Sequence, residues 1–266
     1  MNAGETYDAA SDHYDDPALS FWDRTGERTV ERLSLRPGAR VLDVCCGAGA
    51  SALAAARRVG PEGRVLGIDL AGRLLDRARA KAAAAGLAHA EFRRGDLMAL
   101  DGAGGPFDAV VCVFGIFFVE DMAEGLRRLH AQVAAGGTLA VTTWGPGVFE
   151  PANTYFWNAV RREDASLYKA YNPWDRISQP GPLLDLFAEA GITGAAVEPE
   201  AVNHPLHAPE EFWSIVLGTG YRATIERLSP ASRDRVRTAC IGGLREREVR
   251  SIAVNVIHAT VRKAEA

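Results

Sequence analysis

Apolar residues in the first half of the chain fall in short β-rich runs at residues 41–44, 64–70, 90–94, 109–114 and 138–143. Between them, at 50–59, 73–85 and 121–135, apolar and polar positions mix with a helical period. Strands and helices in strict alternation predict a parallel, doubly wound α/β sheet. Glycines punctuate the helix ends at Gly60, Gly86 and the Gly136-Gly137 pair, where a chain leaving a helix turns through a left-handed residue. After Trp144 the pattern changes. Residues 145–181 mix Phe149, Tyr155, Phe156, Trp157, Tyr168, Tyr171 and Trp174 with prolines and charges, which predicts an irregular lid or cap and no further βαβ unit. Helix is expected again at 182–190 and a strand at 195–202. Residues 209–249 read as helix broken near Ser229-Pro230 and Gly242-Gly243, and a last strand is expected at 251–261.

Composition narrows the class of partner. With 266 residues, 47% of them hydrophobic and 24% charged, the chain can bury a full-sized core. Its net charge of −4 and isoelectric point near 5.9 offer no basic footprint for nucleic acid or an anionic membrane. The acidic start, MNAGETYDAASDHYDD, lacks the apolar region of a signal peptide. The longest apolar run, residues 109–119, falls short of the roughly 20 residues a bilayer requires. A cytoplasmic protein acting on a small molecule is therefore expected. Its four cysteines show no CxxC or other ligand-like spacing, which argues against both a disulfide framework and a closed zinc site.

The stretch VLDVCCGAGA carries the first candidate chemistry. Gly47 to Ala52 formally satisfies the dinucleotide fingerprint GxGxxG/A, and Asp69 lies twenty residues beyond Gly49, placed to accept from ribose hydroxyls. Asp43 discriminates between ligands. Beside a pyrophosphate it would set like charges a few ångströms apart in a partly dry pocket, whereas it suits S-adenosylmethionine, which has no phosphate and carries an ammonium and a sulfonium. Asp96, just past the third expected strand, can accept the adenine amino hydrogens while Leu97 and Met98 cover the ring. Three acids thus follow three successive strands at one edge of the sheet.

At this point the chain resembles the class I S-adenosylmethionine-dependent methyltransferases, in the bacterial small-molecule group that includes ubiquinone and menaquinone biosynthesis enzymes. The matching residues are VLDVCCGAG, GIDL, GDL, FDAVVCVFGIFFVED and AAGGTLAVTTWG, spanning residues 40–144. The resemblance implies a mostly parallel, seven-stranded Rossmann-like sheet with a helical substrate cap. It divides the chain into an N-terminal helical lid at 1–35, a cofactor-binding core at 36–145, and cap insertions with the last strands at 146–266. The cofactor residues expected are Asp43, Cys45, Cys46, Gly47, Gly49, Asp69, Leu70, Asp96, Leu97, Met98 and Phe114. In the family pattern the loop opens on a glycine where this chain has Cys45, so the backbone there is expected to adopt a conformation open to side chains. Both cysteines then read as small polarizable fillers whose loop works through its backbone.

Methyl transfer asks mainly for alignment and exclusion of water, with a general base only when the nucleophile arrives protonated. The candidates for that base are His13 and Tyr14, in a segment that folds over the cofactor in similar enzymes, and His204, after a late strand. Each also reads as an ordinary polar-loop residue. His204 and His207 have no third ligand in sight, so no metal is expected. Phe118, Trp144, Tyr155, Trp174 and Trp213 are the candidate acceptor contacts, and packing within the cap is the competing explanation for each. The expected activity is methyl transfer to a small aromatic or apolar acceptor, quinone-like or a secondary metabolite, with homodimer formation left open. Two alternatives stand beside it: a cofactor-binding scaffold or cyclase-type descendant that does not methylate, and a nicotinamide-dependent reductase.

Overall fold

The computed structural model describes residues 2–265. The chain opens with α1 (Ala3–Ala10) and α2 (Phe21–Glu31), then runs β1 (Arg40–Val44), α3 (Ala50–Val59), β2 (Arg64–Asp69), α4 (Gly72–Ala84), β3 (Ala90–Arg94) and β4 (Phe107–Val113). It continues through α5 (Met122–Ala131), β5 (Val133–Trp144), α6 (Ala152–Glu163), α7 (Pro180–Glu189) and β6 (Ala196–Glu200). The last elements are β7 (Asn203–Pro205), α8 (Glu211–Leu217), α9 (Arg222–Ile225), α10 (Pro230–Glu246), β8 (Ser251–Ala253) and β9 (Val256–Arg262).

The main sheet has seven strands in the order β3-β2-β1-β4-β5-β9-β6, and β7 and β8 form a separate ribbon. β1 to β5 pair in parallel, and β9 enters antiparallel between β5 and β6. This is the doubly wound, mostly parallel sheet that the strand and helix alternation predicts. The pleat separates two packed layers. Val41, Val65, Ala109 and Val111 face α3 and its neighbours, while Leu42, Val44, Leu66, Val110 and Cys112 face the layer that continues into the cap. The strand order reverses between β1 and β4, so the carboxyl ends of these strands open a crevice there.

Several boundaries depart from the pattern-based expectation. The helix expected to reach residue 135 stops at Ala131, because Val133 pairs with Phe107 and lengthens β5 at its start. Within 145–181 lies α6, in keeping with the expected helical cap, and its buried Phe156, Trp157 and Val160 dock one face of the helix. The break at Ser229-Pro230 is real, with the Ser229 hydroxyl capping α10 and Pro230 in its first turn. The break at Gly242-Gly243 does not occur. A Cβ at Gly243 would lie 2.5 Å from the Tyr155 ring, so this glycine is there to let α10 approach α6. The last strand divides into β8 and β9 around Asn255, whose side chain receives the Val202 N–H and donates to the Pro146 carbonyl.

A buried polar chain ties α2 to the far side of the sheet. Thr142 Oγ1 lies 2.8 Å from Thr29 Oγ1 and 2.9 Å from His258 Nδ1, and His258 Nε2 faces Glu200, which in turn pairs with Arg28 and Arg32. Burial, helped by Arg32, pulls the His258 pKa down to about 4, so the ring is neutral in the folded protein. The unfolded chain takes up that proton near pH 6.5 and the folded chain only near pH 4, so stability falls as the pH drops through this window. A loss on the order of 2–3 kcal/mol is expected between pH 6.5 and 4, read from urea midpoints. His258→Gln should flatten that acid limb while lowering stability at neutral pH.

Candidate active site

The loop between β1 and α3 turns through three left-handed residues, Cys45 at φ 61°, Gly47 at 52° and Gly49 at 86°. Cys45 therefore takes the glycine-type conformation, contrary to the expectation from sequence, at a cost of roughly 1–2 kcal/mol for a residue with a Cβ. Its surroundings hold it there. Gly115, just past β4, presses so close that a Cβ on it would sit 2.5 Å from Cys45 Cβ and 2.7 Å from Cys112 Sγ. The neighbouring Cys112 thiol, together with burial, holds the Cys45 thiol well above its usual pKa. Burial does the same for Cys46. Both thiols stay protonated, and both residues line the cleft described below.

Two of the three acids meet at this loop. Asp43 is fully buried, its Oδ2 accepting from the Ser51 hydroxyl at 2.7 Å and its Oδ1 without a partner. Burial, with Asp69 nearby, pushes its pKa up to about 7. Asp69 ends β2 and accepts the Gly47 and Ala71 N–H groups at 2.8 Å each, yet burial keeps its pKa raised as well. Asp96 stands apart: it is exposed, accepts the Met98 N–H at 2.8 Å, and lies outside the cleft described next. Leu97 packs in the core and Met98 against it.

The cleft, about 720 Å³ including its open mouth, is lined by Cys45, Cys46, Gly47, Ser51, Asp69, Leu70, Phe114 and Phe118 from the sheet side. Gly4, Tyr7, Tyr14 and Trp22 close it from the N-terminal helices. Gly49 props the corner from behind against Leu53 and Ala78, and Asp43 sits behind Ser51. Tyr14 stacks on Trp22 with a 4° interplanar angle, and its hydroxyl reaches Gly47. Tyr7, Trp22 and Ser51 are wall residues that the motifs did not single out.

Neither candidate histidine lines the cleft. His13 sits in a 3₁₀ turn outside it, and His204 is buried edge-on against Phe21 with Nε2 2.9 Å from the Ala18 carbonyl. His204 thus acts as a strut under the lid, and burial lowers its pKa. Among the described residues, no three His, Cys, Asp or Glu side chains gather in a metal-binding group.

A second, narrow aromatic slot, about 330 Å³ including the open space at its mouth, adjoins the cleft and shares Tyr7 and Trp22 with it. Its other walls are Phe117, Trp144, Val148, Phe149, Trp174, Thr219, Gly220 and Tyr221. Trp144 stacks on Phe114 at 3.8 Å between ring centres, linking the walls of the two spaces. Of the candidate acceptor contacts, Trp144 and Trp174 line the slot and Phe118 lines the cleft. Tyr155 packs under Gly243 and Trp213 in the core, so both serve structure instead. Beyond Tyr221 and Trp174 opens a third, largely polar chamber in the cap.

The seven-stranded order, the left-handed corner after β1 and the carboxylate ending β2 define a class I methyltransferase fold. Residues 41–137 match the family described as a methyltransferase domain. The demethylmenaquinone methyltransferase of Geobacillus kaustophilus is 30% identical over 211 residues, covering 73% of this chain and 89% of that protein. Among solved structures, the YcgJ protein of Bacillus subtilis superposes with a TM-score of 0.57 at 19% identity, over 91% of this chain and 99% of that one. The [4+2]-cyclase SpnF gives 0.56 at 19% identity, over 92% and 81%. The chain belongs to the class I S-adenosylmethionine-dependent methyltransferases and is similar to the menaquinone biosynthesis enzymes. Its methyl donor is S-adenosylmethionine, and the nicotinamide-dependent reading falls away. The site fits this donor: a buried carboxylate oxygen of Asp43 lacks a partner, and among the described residues no cationic side chain lines the cleft to meet a phosphate.

The lid over this cleft is held by an ion-pair row. Asp8 receives the Arg73 N–H, Asp12 pairs with Arg73 at 2.5 Å, and Asp15 pairs with Arg77 at 2.7 Å and Lys81 at 2.5 Å. Acids at 8, 12 and 15 thus match bases one turn apart along α4. Half-exposed pairs of this kind contribute up to about 1 kcal/mol each and weaken with salt. Asp15→Asn is expected to raise the dissociation rate of S-adenosylhomocysteine by about threefold, and 0.5 M salt to speed the unaltered protein similarly, in stopped-flow measurements.

Proposed function

We propose that the protein transfers a methyl group from S-adenosylmethionine to a flat, largely apolar small-molecule acceptor, quinone-like or a secondary metabolite, bound in the aromatic slot. The observation that carries this reading is the adjacency of the two spaces: Tyr7 and Trp22 border both the cleft and the slot, so a ligand in one lies beside a ligand in the other. In this reading Asp69 accepts from the ribose hydroxyls, Leu70 and Phe114 flank the adenosine, and the backbone of residues 45–49 and Ser51 faces the methionine end. Asp96, with Leu97 and Met98, stands at the adenine side of the crevice, beyond the end of β3. When bound, the donor supplies a methyl group on a positively charged sulfur that leaves as a neutral thioether. The residues of the chain orient the acceptor, and the lid and cap exclude water.

Proton removal by a histidine or lysine is not built into the walls. Among the described residues none of either type lines the cleft or the slot, and burial raises the pKa of Tyr7, Tyr14 and Tyr221, which keeps them phenols that donate hydrogen bonds. The acceptor therefore presents a nucleophile that is already ionised or has no proton to lose. This same observation supports a second reading, a cofactor-binding protein that does not methylate. Incubation with methyl-labelled donor and phenolic or naphthoquinol acceptors separates the two. Label should move into the acceptor, with a pH–rate profile that follows the acceptor's own pKa and is unmoved in His13→Ala. Label that stays on the donor across the acceptor series would reject methyl transfer.

Asp43 adds a pH dependence to donor binding. The free protein holds a proton on it up to about pH 7, and a cationic donor nearby favours its ionised form, so binding below pH 7 releases that proton. Affinity for S-adenosylmethionine is expected to rise with pH, by up to about tenfold per unit, and to level off above pH 7. Calorimetry in buffers of different ionisation enthalpy should detect the proton, and Asp43→Asn should abolish both the release and the slope.

A further inference from the structure

The chamber beyond Tyr221 differs from the slot in size and in the chemistry of its walls. It encloses about 930 Å³ including its open mouth, and it shares Val148, Trp174 and Tyr221 with the slot. Glu150, Asn153, Thr154, Trp157 and Asn158 line it at three- and four-residue intervals, so one face of α6 and its entry makes up a wall. Lys169, Asn172, Trp174 and Asp175, from the loop that follows, supply another.

The hydrogen bonds within these walls use up the acids. Glu150 Oε1 accepts from the Asn153 amide and the Thr154 hydroxyl at 3.0 Å each, and Asp175 Oδ2 accepts the Asn172 backbone N–H at 2.6 Å. Asn153 Oδ1 in turn accepts the Tyr221 hydroxyl. None of these bonds takes the side-chain amide nitrogens of Asn158 and Asn172 or the Lys169 ammonium, so what faces the chamber uncommitted is rich in donors. Burial and the neighbouring Arg227 guanidinium both lower the Lys169 pKa, and among the described residues no carboxylate offsets them. A cation so placed gains from an anion that approaches it. A cationic ligand would meet Lys169, and a hydrocarbon would strip water from the polar walls and return no hydrogen bonds.

We propose that the chamber is a subsite for an anionic oxygen group of the acceptor, a carboxylate held by Lys169 with the amide donors of Asn158 and Asn172, while the acceptor's ring rests against the aromatic faces of Trp157 and Trp174. The proposal rests on the acceptor lying on the slot side of the donor cleft, and it specifies that the acceptor is an amphipathic acid. Charge-assisted hydrogen bonds are roughly twice as strong as neutral ones, so the carboxylate is the part of such a ligand that the chamber reads most sharply.

Calorimetry with saturating S-adenosylhomocysteine tests this, using 1-naphthaleneacetate, its neutral carboxamide, 1-naphthylmethylamine and acetate as probes. In the unaltered protein the naphthyl acid should bind about tenfold or more tighter than the carboxamide, with the amine weakest. Acetate, which lacks the ring, should bind at least about tenfold weaker than the naphthyl acid. Lys169→Gln should shrink the acid-to-amide ratio to about threefold or less while the carboxamide binds as before. Asn158→Ala should reduce the ratio by a smaller factor. Circular dichroism and the S-adenosylhomocysteine affinity report whether each variant is folded, and Lys169, on an exposed loop, is the substitution that decides. Acid and carboxamide binding alike, neither binding at millimolar concentration, or an unchanged ratio in folded Lys169→Gln overturns the proposal. Acetate binding as tightly as the naphthyl acid would make the chamber a free-anion site and overturn it equally. These ratios do not depend on methyl transfer. Label that moves to no acceptor while the ratios hold rejects the methyltransferase chemistry and leaves the anionic subsite standing, and label transfer with ratios near one does the reverse.

Discussion

The packing of Trp22 across the carboxyl edge of the sheet is the contact on which the rest of the site depends. Its ring stacks on Tyr14 on one side and meets Phe114 and Trp144 on the other, 5.4 and 5.6 Å between ring centres. A residue of an N-terminal helix thereby completes a cluster whose other members come from the ends of β4 and β5. Without it the donor cleft and the aromatic slot would be one open groove at the switch point of the sheet. With it they are two adjoining spaces bordered by the same residues. The cost of bringing this helix in is met by burial of Phe21 and Trp22 and by the strut from His204 to the Ala18 carbonyl.

The electrostatics of the cleft point the same way as its shape. Two carboxylates, Asp43 and Asp69, are buried near one another with only hydroxyl and backbone N–H partners, and both have raised pKa values as a result. Among the described residues, no arginine or lysine lines the cleft to neutralise them. The basic side chains of α4 are instead turned to the acidic face of α1 and its following turn, where they hold the lid. The protein thus separates its charges. Ion pairs that can open in water sit at the rim, and uncompensated negative charge lies inside, where a cation is the ligand that relieves it.

Backbone strain also meets at this corner. Of the four described non-glycine residues at positive φ, Cys45 and Phe114 lie here, and Gly115 lies between the end of β4 and the Cys45 side chain. Phe114, in that conformation, stacks on Trp144 and so joins the donor side to the acceptor side. Surrounding packing, not the local preference of these residues, keeps both turns in place.

The amino-acid sequence by itself determined the alternation of strands and helices through Trp144, the loop after β1 and the placement of Asp43 and Asp69. These depend on local periodicity, on glycine spacing and on strand ends, all of which short windows of sequence express. Only the tertiary structure decided the rest. That Gly243 continues a helix follows from the Tyr155 ring opposite it, and that Cys45 adopts a left-handed backbone follows from Gly115, seventy residues away along the chain. His204 looked like a candidate base because a histidine after a strand end often faces a ligand, and it became a strut because Phe21 and Ala18 cover it. Tyr155 and Trp213 read the same as Trp144 and Trp174 in sequence, since an aromatic residue is equally suited to a core and to a pocket wall. Which of them meets a ligand is set by long-range packing, where the helices of the cap and the N-terminal segment settle on the sheet, and no local pattern encodes that choice.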